Sequence, residues 1–150
     1  MAAESAICSD FLYAKLNVST VTNALGTASR IYRSEVPQES PTGPAAFPCV
    51  VYHMQSGSDT FGVGAVRIMT RPLWTVKVGV DDQPYEDAEI IYSIVDATLQ
   101  NTSGTTSAGS VYSCFREMEL PGYSEKKSGG GYIRWVGAVY RLETRATTTP

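Results

Sequence analysis

Chemistry in this 150-residue chain would have to come from a short set of side chains: Cys8, Cys49, Cys114, the lone His53, and the carboxylates of Asp81, Asp82, Glu86 and Asp87. A cysteine nucleophile needs a base beside it, and His53 is the only imidazole. On one extended strand Cys49 and His53 face the same side but stand about 13 Å apart, too far to touch. Cys114 can reach His53 only across strands, and a buried, inert thiol is the simpler expectation for it. Three widely spaced cysteines with no CxxC pair and one histidine make no zinc signature. The carboxylates could hold a hard cation, but they sit where a helix begins and serve there as partners of its positive end. Gly62-x-Gly64 does not open a helix, so it is no phosphate cradle. No catalytic residue, cofactor or metal is expected.

The elements that would position these groups are legible in the periodicity. Ala88, Ile91, Tyr92, Val95 and Leu99 recur at helical spacing, and Ile90 and Ile94 widen the stripe into a broad apolar arc. Pro84 suits the first turn of that helix, and the arc must lie on a sheet. Ile7, Phe11, Ala14, Val18, Val21 and Leu25 mark a second helical face, closed by Gly26, either as one helix or as two short helices broken near Ser19, where NVST is poor in helix formers.

Five stretches read as strands. Ile31 to Val36 is short and ends at Pro37, before a Pro- and Gly-rich loop. Cys49 to Met54 is a near-continuous apolar run, as in a strand buried on both faces. Leu73 to Val80 alternates, with Trp74, Val76, Val78 and Val80 on one side and Thr75, Lys77 and Gly79 on the other, predicting a half-buried strand. Asn101 to Ser110 is low-complexity and reads as flexible. Val111 to Leu120 and Tyr132 to Glu143 predict a β-hairpin with a long mobile tip. The expected fold is α+β: a two-layer sandwich with a mostly antiparallel sheet of about five strands and two helices packed on one face. Residues 1–143 form one domain in this reading, and residues 144–150 a disordered tail.

Composition narrows the function classes. A hydrophobic fraction of 43% with 18% charged residues indicates a globular chain, and a net charge of -3 gives no basic footprint for duplex binding. No apolar run approaches a membrane span and no signal peptide opens the chain, so a soluble protein made in the cytosol is expected. One stretch stands out. Ser56 to Met69 has three glycines yet displays Phe61, Val63, Val66, Ile68 and Met69, which is odd for a solvated loop. A neighbour is expected to cover it. Those five residues, with Tyr123 from the final hairpin, are the expected subunit or partner interface.

Leu25-Gly26 ending a first helix, Ile31-Tyr32, Val36-Pro37-Gln38, Phe47-Pro48-Cys49-Val50-Val51, the Thr75-Val76-Lys77-Val78 strand, the Glu86 to Leu99 helix and the closing Tyr140-Arg141-Leu142 together resemble the small tail-completion, or tail-terminator, proteins of long-tailed bacteriophages. The resemblance spans about residues 7 to 143. It implies a non-enzymatic virion protein made in the host cytoplasm: a homo-oligomeric ring, a hexamer in that family, that caps the tail tube and meets the head-closure or connector protein. Genomic DNA would pass through the lumen without sequence-specific binding, and no membrane is involved. A head-closure protein or a tail-tube subunit would use similar pieces. A small cysteine-dependent enzyme is the third reading.

Overall fold

The computed structural model describes residues 2–27, 30–34, 47–64, 67–127 and 130–146. Three helices occur among them. Helix α1 (Ala2–Leu16) buries Ile7, Cys8, Phe11, Leu12 and Leu16, so its apolar face is continuous over the last three turns. The chain breaks at Asn17 and at Val18, which is extended (φ -122°, ψ 155°), and restarts as α2 (Ser19–Leu25). Gly26 ends α2 in the left-handed conformation, φ 88°, which its missing Cβ permits. Helix α3 (Tyr85–Leu99) follows Pro84, which occupies the cap position with φ -65°. It buries Ala88, Ile91, Tyr92, Val95 and Leu99.

Eight strands form one curled sheet: β1 (Ile31–Arg33), β2 (Cys49–Ser56), β3 (Asp59–Phe61), β4 (Arg67–Thr70), β5 (Leu73–Asp81), β6 (Thr102–Thr105), β7 (Gly109–Lys126) and β8 (Tyr132–Ala146). The order β1-β2-β5-β8 runs through the centre, with β1 parallel to β2 and the other pairs antiparallel. On its other side β8 pairs with β7 along nearly its whole length, and β7 carries β6. Past Arg141, β8 exchanges β5 for β4, through Thr70↔Thr144. Strands β4 and β5 thus share one track along β8, interrupted by Arg71-Pro72, and β3 folds back on β4 as a hairpin.

The main core lies between the helices and one face of this sheet, where Trp74, Val76, Val78, Val50, Tyr52, Ala138, Tyr140 and Leu142 meet the helical apolar faces. The opposite face carries its own cluster of Cys49, Val51 and Trp135, with Tyr32, Phe47 and Ile133 against it. The Trp135 ring lies over Gly79 so closely that a Cβ there would stand 2.6 Å from it. Helix α1 approaches the start of β7 in the same way, since a Cβ on Gly109 would meet Ile7 at 2.5 Å.

The α+β layering matches the reading of the sequence, but the sheet is mixed and has eight strands where about five were expected, and three helices replace two. Strands β3, β4 and β6 are three or four residues long, too short for a periodicity to be read from the sequence. The segment expected to be flexible, Asn101 to Ser110, turns tightly back on itself as β6 pairs with β7. The final hairpin is longer than expected: β7 continues through Pro121-Gly122, where a register shift between Leu120 and Tyr123 absorbs the break. Its tip is held. Lys127 reaches Asp81 at 2.6 Å and Asp82 at 3.5 Å, and the Tyr132 N–H donates to Asp82 Oδ1 at 2.8 Å. Thr144 to Ala146 belong to β8 and not to a disordered tail; Thr144 is fully buried and its hydroxyl donates to the Ser110 carbonyl at 2.9 Å. Residues 147–150 lie outside the described residues, as does most of the Pro-rich loop after β1.

Candidate assembly surfaces

The potential chemistry resolves first. Cys8, Cys49 and Cys114 are free and fully buried. Desolvation pushes each thiol from 9.0 up to about 12, so none is a thiolate near neutrality. Cys114 belongs to the helix-side core, whereas His53 continues the Cys49-Val51 side of β2 on the opposite face of the sheet. The thiol–imidazole pairing that a cysteine enzyme would need is therefore not formed. Burial first, and the Lys77 charge second, hold His53 below its ordinary 6.5. At the start of α3 the carboxylates of Asp81 and Asp82 face Lys127, and no group of three His, Cys, Asp or Glu side chains is arranged to hold a metal among the described residues. The Tyr132 N–H, with Lys127 beside it, keeps the Asp82 carboxyl below the usual carboxylate range.

One buried polar set is structural. The Tyr92 and Tyr140 hydroxyls meet at 3.0 Å, and Tyr140 donates to Asp96, which Arg116 approaches at 3.9 Å. Tyr140 is fully buried, and this chain of bonds ties α3 to β8 beneath it.

The expected interface residues fall in two places. Phe61 ends β3, Val63 lies in the turn, and Ile68 and Met69 lie on β4, so four of the six share one hairpin. Phe61 is 59% exposed, Val63 is wholly exposed and Ile68 is 43% exposed, while Met69 is half-buried. Val66 lies outside the described residues. The hairpin is fastened at both ends: Thr70 donates to Asp59 at 2.9 Å and the Arg71 N–H donates to the Ser58 carbonyl at 2.7 Å at its base, while Arg67, opposite Phe61 at the turn end, pairs with Glu4 of α1 at 2.6 Å.

Tyr123 is elsewhere. It lies opposite Trp135 on the final hairpin, receives a hydrogen bond from Lys77 Nζ at 2.9 Å, and covers the second face of the sheet. A Lys77 ammonium 4.4 Å from the Trp135 ring completes that stack.

The sequence reading missed a second apolar surface at the other end of β5. Ile90 does not widen the buried stripe of α3; it is 61% exposed and lines a groove of about 420 Å³ with Phe47, Pro48, Val80 and Ile91. The signal was present in the spacing. Ile90 follows Ala88 by two and precedes Ile91 by one, which turns it away from the i, i+3, i+4 face.

No family model matches this chain, and no curated protein matches it. Among solved structures, a chain described as "Virion of native gene transfer agent (GTA) particle" superimposes with a TM-score of 0.59 at 15% identity, over 89% of this chain and 90% of that one. The two chains share a fold. The match spans most of both chains. At that identity it carries no residue-by-residue correspondence.

Proposed function

We propose that this chain is a structural subunit of a phage-like virion, a tail terminator that forms a ring at the end of the tail tube and joins it to the head-side connector. The observation that carries the reading is the β3–β4 hairpin. It exposes Phe61, Val63 and Ile68 within one short hairpin, a grouping of large apolar side chains that a free monomer would avoid. A ring presents one such surface to the next subunit at every interface, and heterologous contacts of this kind generate rings when the rotation closes. Supporting it are the fold shared with a virion chain, the likeness of the sequence to tail-completion proteins, and cysteines too deeply buried to act as nucleophiles. The ring size, a hexamer, and the neighbours, tail-tube protein on one side and connector on the other, follow from that likeness. The genome would pass through the lumen, which suits a chain of net charge -3 that DNA slides past.

The test separates folding from assembly. Phe61→Ser with Ile68→Ser should leave the circular dichroism and melting temperature of the isolated chain nearly unchanged, because both side chains are exposed. Incorporation into particles should be lost, leaving heads and tails unjoined. Normal incorporation would refute the role of the hairpin, and labelling the chain in intact particles distinguishes a terminator from a head-closure or tube subunit.

A further inference from the structure

We propose that the cavity between the first turn of α1 and the β3–β4 hairpin is a binding site for a primary alkylammonium, the end of a lysine side chain presented by a neighbouring chain. The cavity measures about 220 Å³. Its polar end is made by Glu4 and Ser5 of α1 with Asp59, Arg67 and Thr70 of the hairpin, and its apolar flank by Met54 and Pro72.

Glu4 is the group that calls for a ligand. It is the one buried carboxylate among the described residues, only 6% exposed. Arg67 holds its Oε1 at 2.6 Å, but Oε2 is buried without a hydrogen-bond partner. A desolvated carboxylate oxygen with no donor is costly, and buried polar atoms in native proteins are normally paired. Asp59 is half satisfied in the same way. Thr70 donates to its Oδ1 at 2.9 Å, whereas Oδ2 stands 3.9 Å from Arg67, beyond hydrogen-bond reach. Two carboxylates therefore share the guanidinium that lines the cavity, which leaves one negative charge between them in excess. Arg33 is engaged nearby, by the Ser5 hydroxyl at 3.2 Å and by the Trp74 ring at 5.9 Å.

The donor geometry selects the ligand. A water would satisfy Oε2 but not the excess charge. A divalent cation would lie against the Arg67 guanidinium and would find only two carboxylates, with no third His, Cys, Asp or Glu beside them among the described residues. A guanidinium takes both oxygens of one carboxylate in its fork, and Arg67 already occupies one oxygen of Glu4. An ammonium has three diverging N–H groups that take one acceptor each. Glu4 Oε2, Asp59 Oδ2 and the Thr70 hydroxyl supply them, and Met54, 41% exposed, with Pro72 gives the methylene stem an apolar wall. The site adjoins the hairpin that exposes Phe61, Val63 and Ile68, so its place in a subunit contact rests on the assembly reading above.

Methyl resonances of methionine test the site, since the chain has four methionines and one of them lines it. The chain labelled with 13C-methyl methionine is titrated at low salt with Nα-acetyl-lysine methylamide, and the Met54 signal is assigned by Met54→Leu. A saturable shift of the Met54 methyl at millimolar ligand is expected, with the exposed Met118 on β7 unmoved. Nα-acetyl-norleucine methylamide, which lacks the ammonium, should leave Met54 unmoved. Glu4→Gln, which keeps the size of the side chain, should weaken binding about tenfold or more. Asp59→Asn, at a partly exposed position, should weaken it less and carries the test if Glu4→Gln does not fold. No shift with the lysine derivative, an equal shift with norleucine or with Nα-acetyl-arginine methylamide, or undiminished binding in both folded variants would overturn the proposal. Ammonium-dependent binding by a chain that labelling does not find in virions would uphold the site and sink the virion reading; a chain found in virions that binds no lysine derivative would do the reverse.

Discussion

Raising the pH should unfold this protein through its three buried thiols. Cys8, Cys49 and Cys114 are each pushed by desolvation from 9.0 up to about 12 in the folded chain. Above pH 9 the unfolded chain has released these protons while the folded chain still holds them, so fewer protons are bound when unfolded and stability falls as pH rises. The loss begins near 9 and continues until the folded thiols ionise near 12. At pH 10, one unit above the ordinary value, each thiol costs on the order of 1 kcal/mol and the three together several kcal/mol. That is a sizeable part of a typical total of roughly 5–15 kcal/mol. Urea unfolding at pH 8 and pH 10 measures the difference directly. Each single Cys→Ala variant should recover roughly a third of the thiol contribution to the alkaline loss, whatever the substitution costs at both pH values. Equal losses in the wild type and all three variants would refute the reasoning, and so would alkylation of the native chain by iodoacetamide at neutral pH.

Two further substitutions probe the core. Val95→Asp, at a fully buried position of α3, places an unpaired carboxylate under the sheet and should cost several kcal/mol, so that a soluble variant with a cooperative wild-type-like melt would contradict the helix-face assignment. Tyr140→Phe removes the hydroxyl that joins Tyr92 to Asp96. Because Tyr92 is itself buried, its hydroxyl loses a partner that water cannot readily replace, and the cost should be about 1–3 kcal/mol by denaturant titration, with Tyr92→Phe non-additive in the double variant.

What the sequence made legible was burial with a period. The stripe Ala88, Ile91, Tyr92, Val95 and Leu99 of α3 and the side of β5 carrying Trp74, Val76, Val78 and Val80 were read at buried residues, as was the cap at Gly26, and a break near Ser19 was one of two readings of the first helical stretch, because apolar spacing and a left-handed glycine are local properties. Less visible was burial on the second face. Thr75 and Gly79 are buried, although their residue types suggested solvent, because Trp135 lies over Gly79 and the curl of the sheet closes that side. The long β7 was truncated at Pro121 for a similar reason. Proline usually ends a strand, but here it sits on an outer edge where no ladder donor is required.

The residues expected at an interface were legible as a group only in part. An apolar excess among glycines drew Phe61, Val63, Ile68 and Met69 together, and they share one hairpin, but nothing local tied Tyr123 to them, and the structure sets it against Trp135 at the other end of β5. Ile90 went unread because its residue type matches the core it turns away from.

The position of the hairpin explains why folding and assembly should separate so cleanly. Strand β5 is flanked by β8 along its whole length and by β2 from Leu73 to Gly79, whereas β4 pairs with β8 at the single position Thr70↔Thr144. Beyond that point β3 and β4 pair with each other, and Arg67 of β4 bridges to Glu4 of α1. Two strands alone are marginally stable in water, so little of the stability of the body is invested there. Changing Phe61 or Ile68 therefore removes almost nothing the body depends on, while removing apolar area from the surface offered to a neighbour. Pairing with a second copy would supply the ordering that the hairpin lacks in the monomer. Protection of its amides from hydrogen exchange should accordingly be low in the isolated chain and rise on assembly, whereas the amides of β5 should stay protected in both states; equal protection of the hairpin before and after assembly would show that no partner covers it.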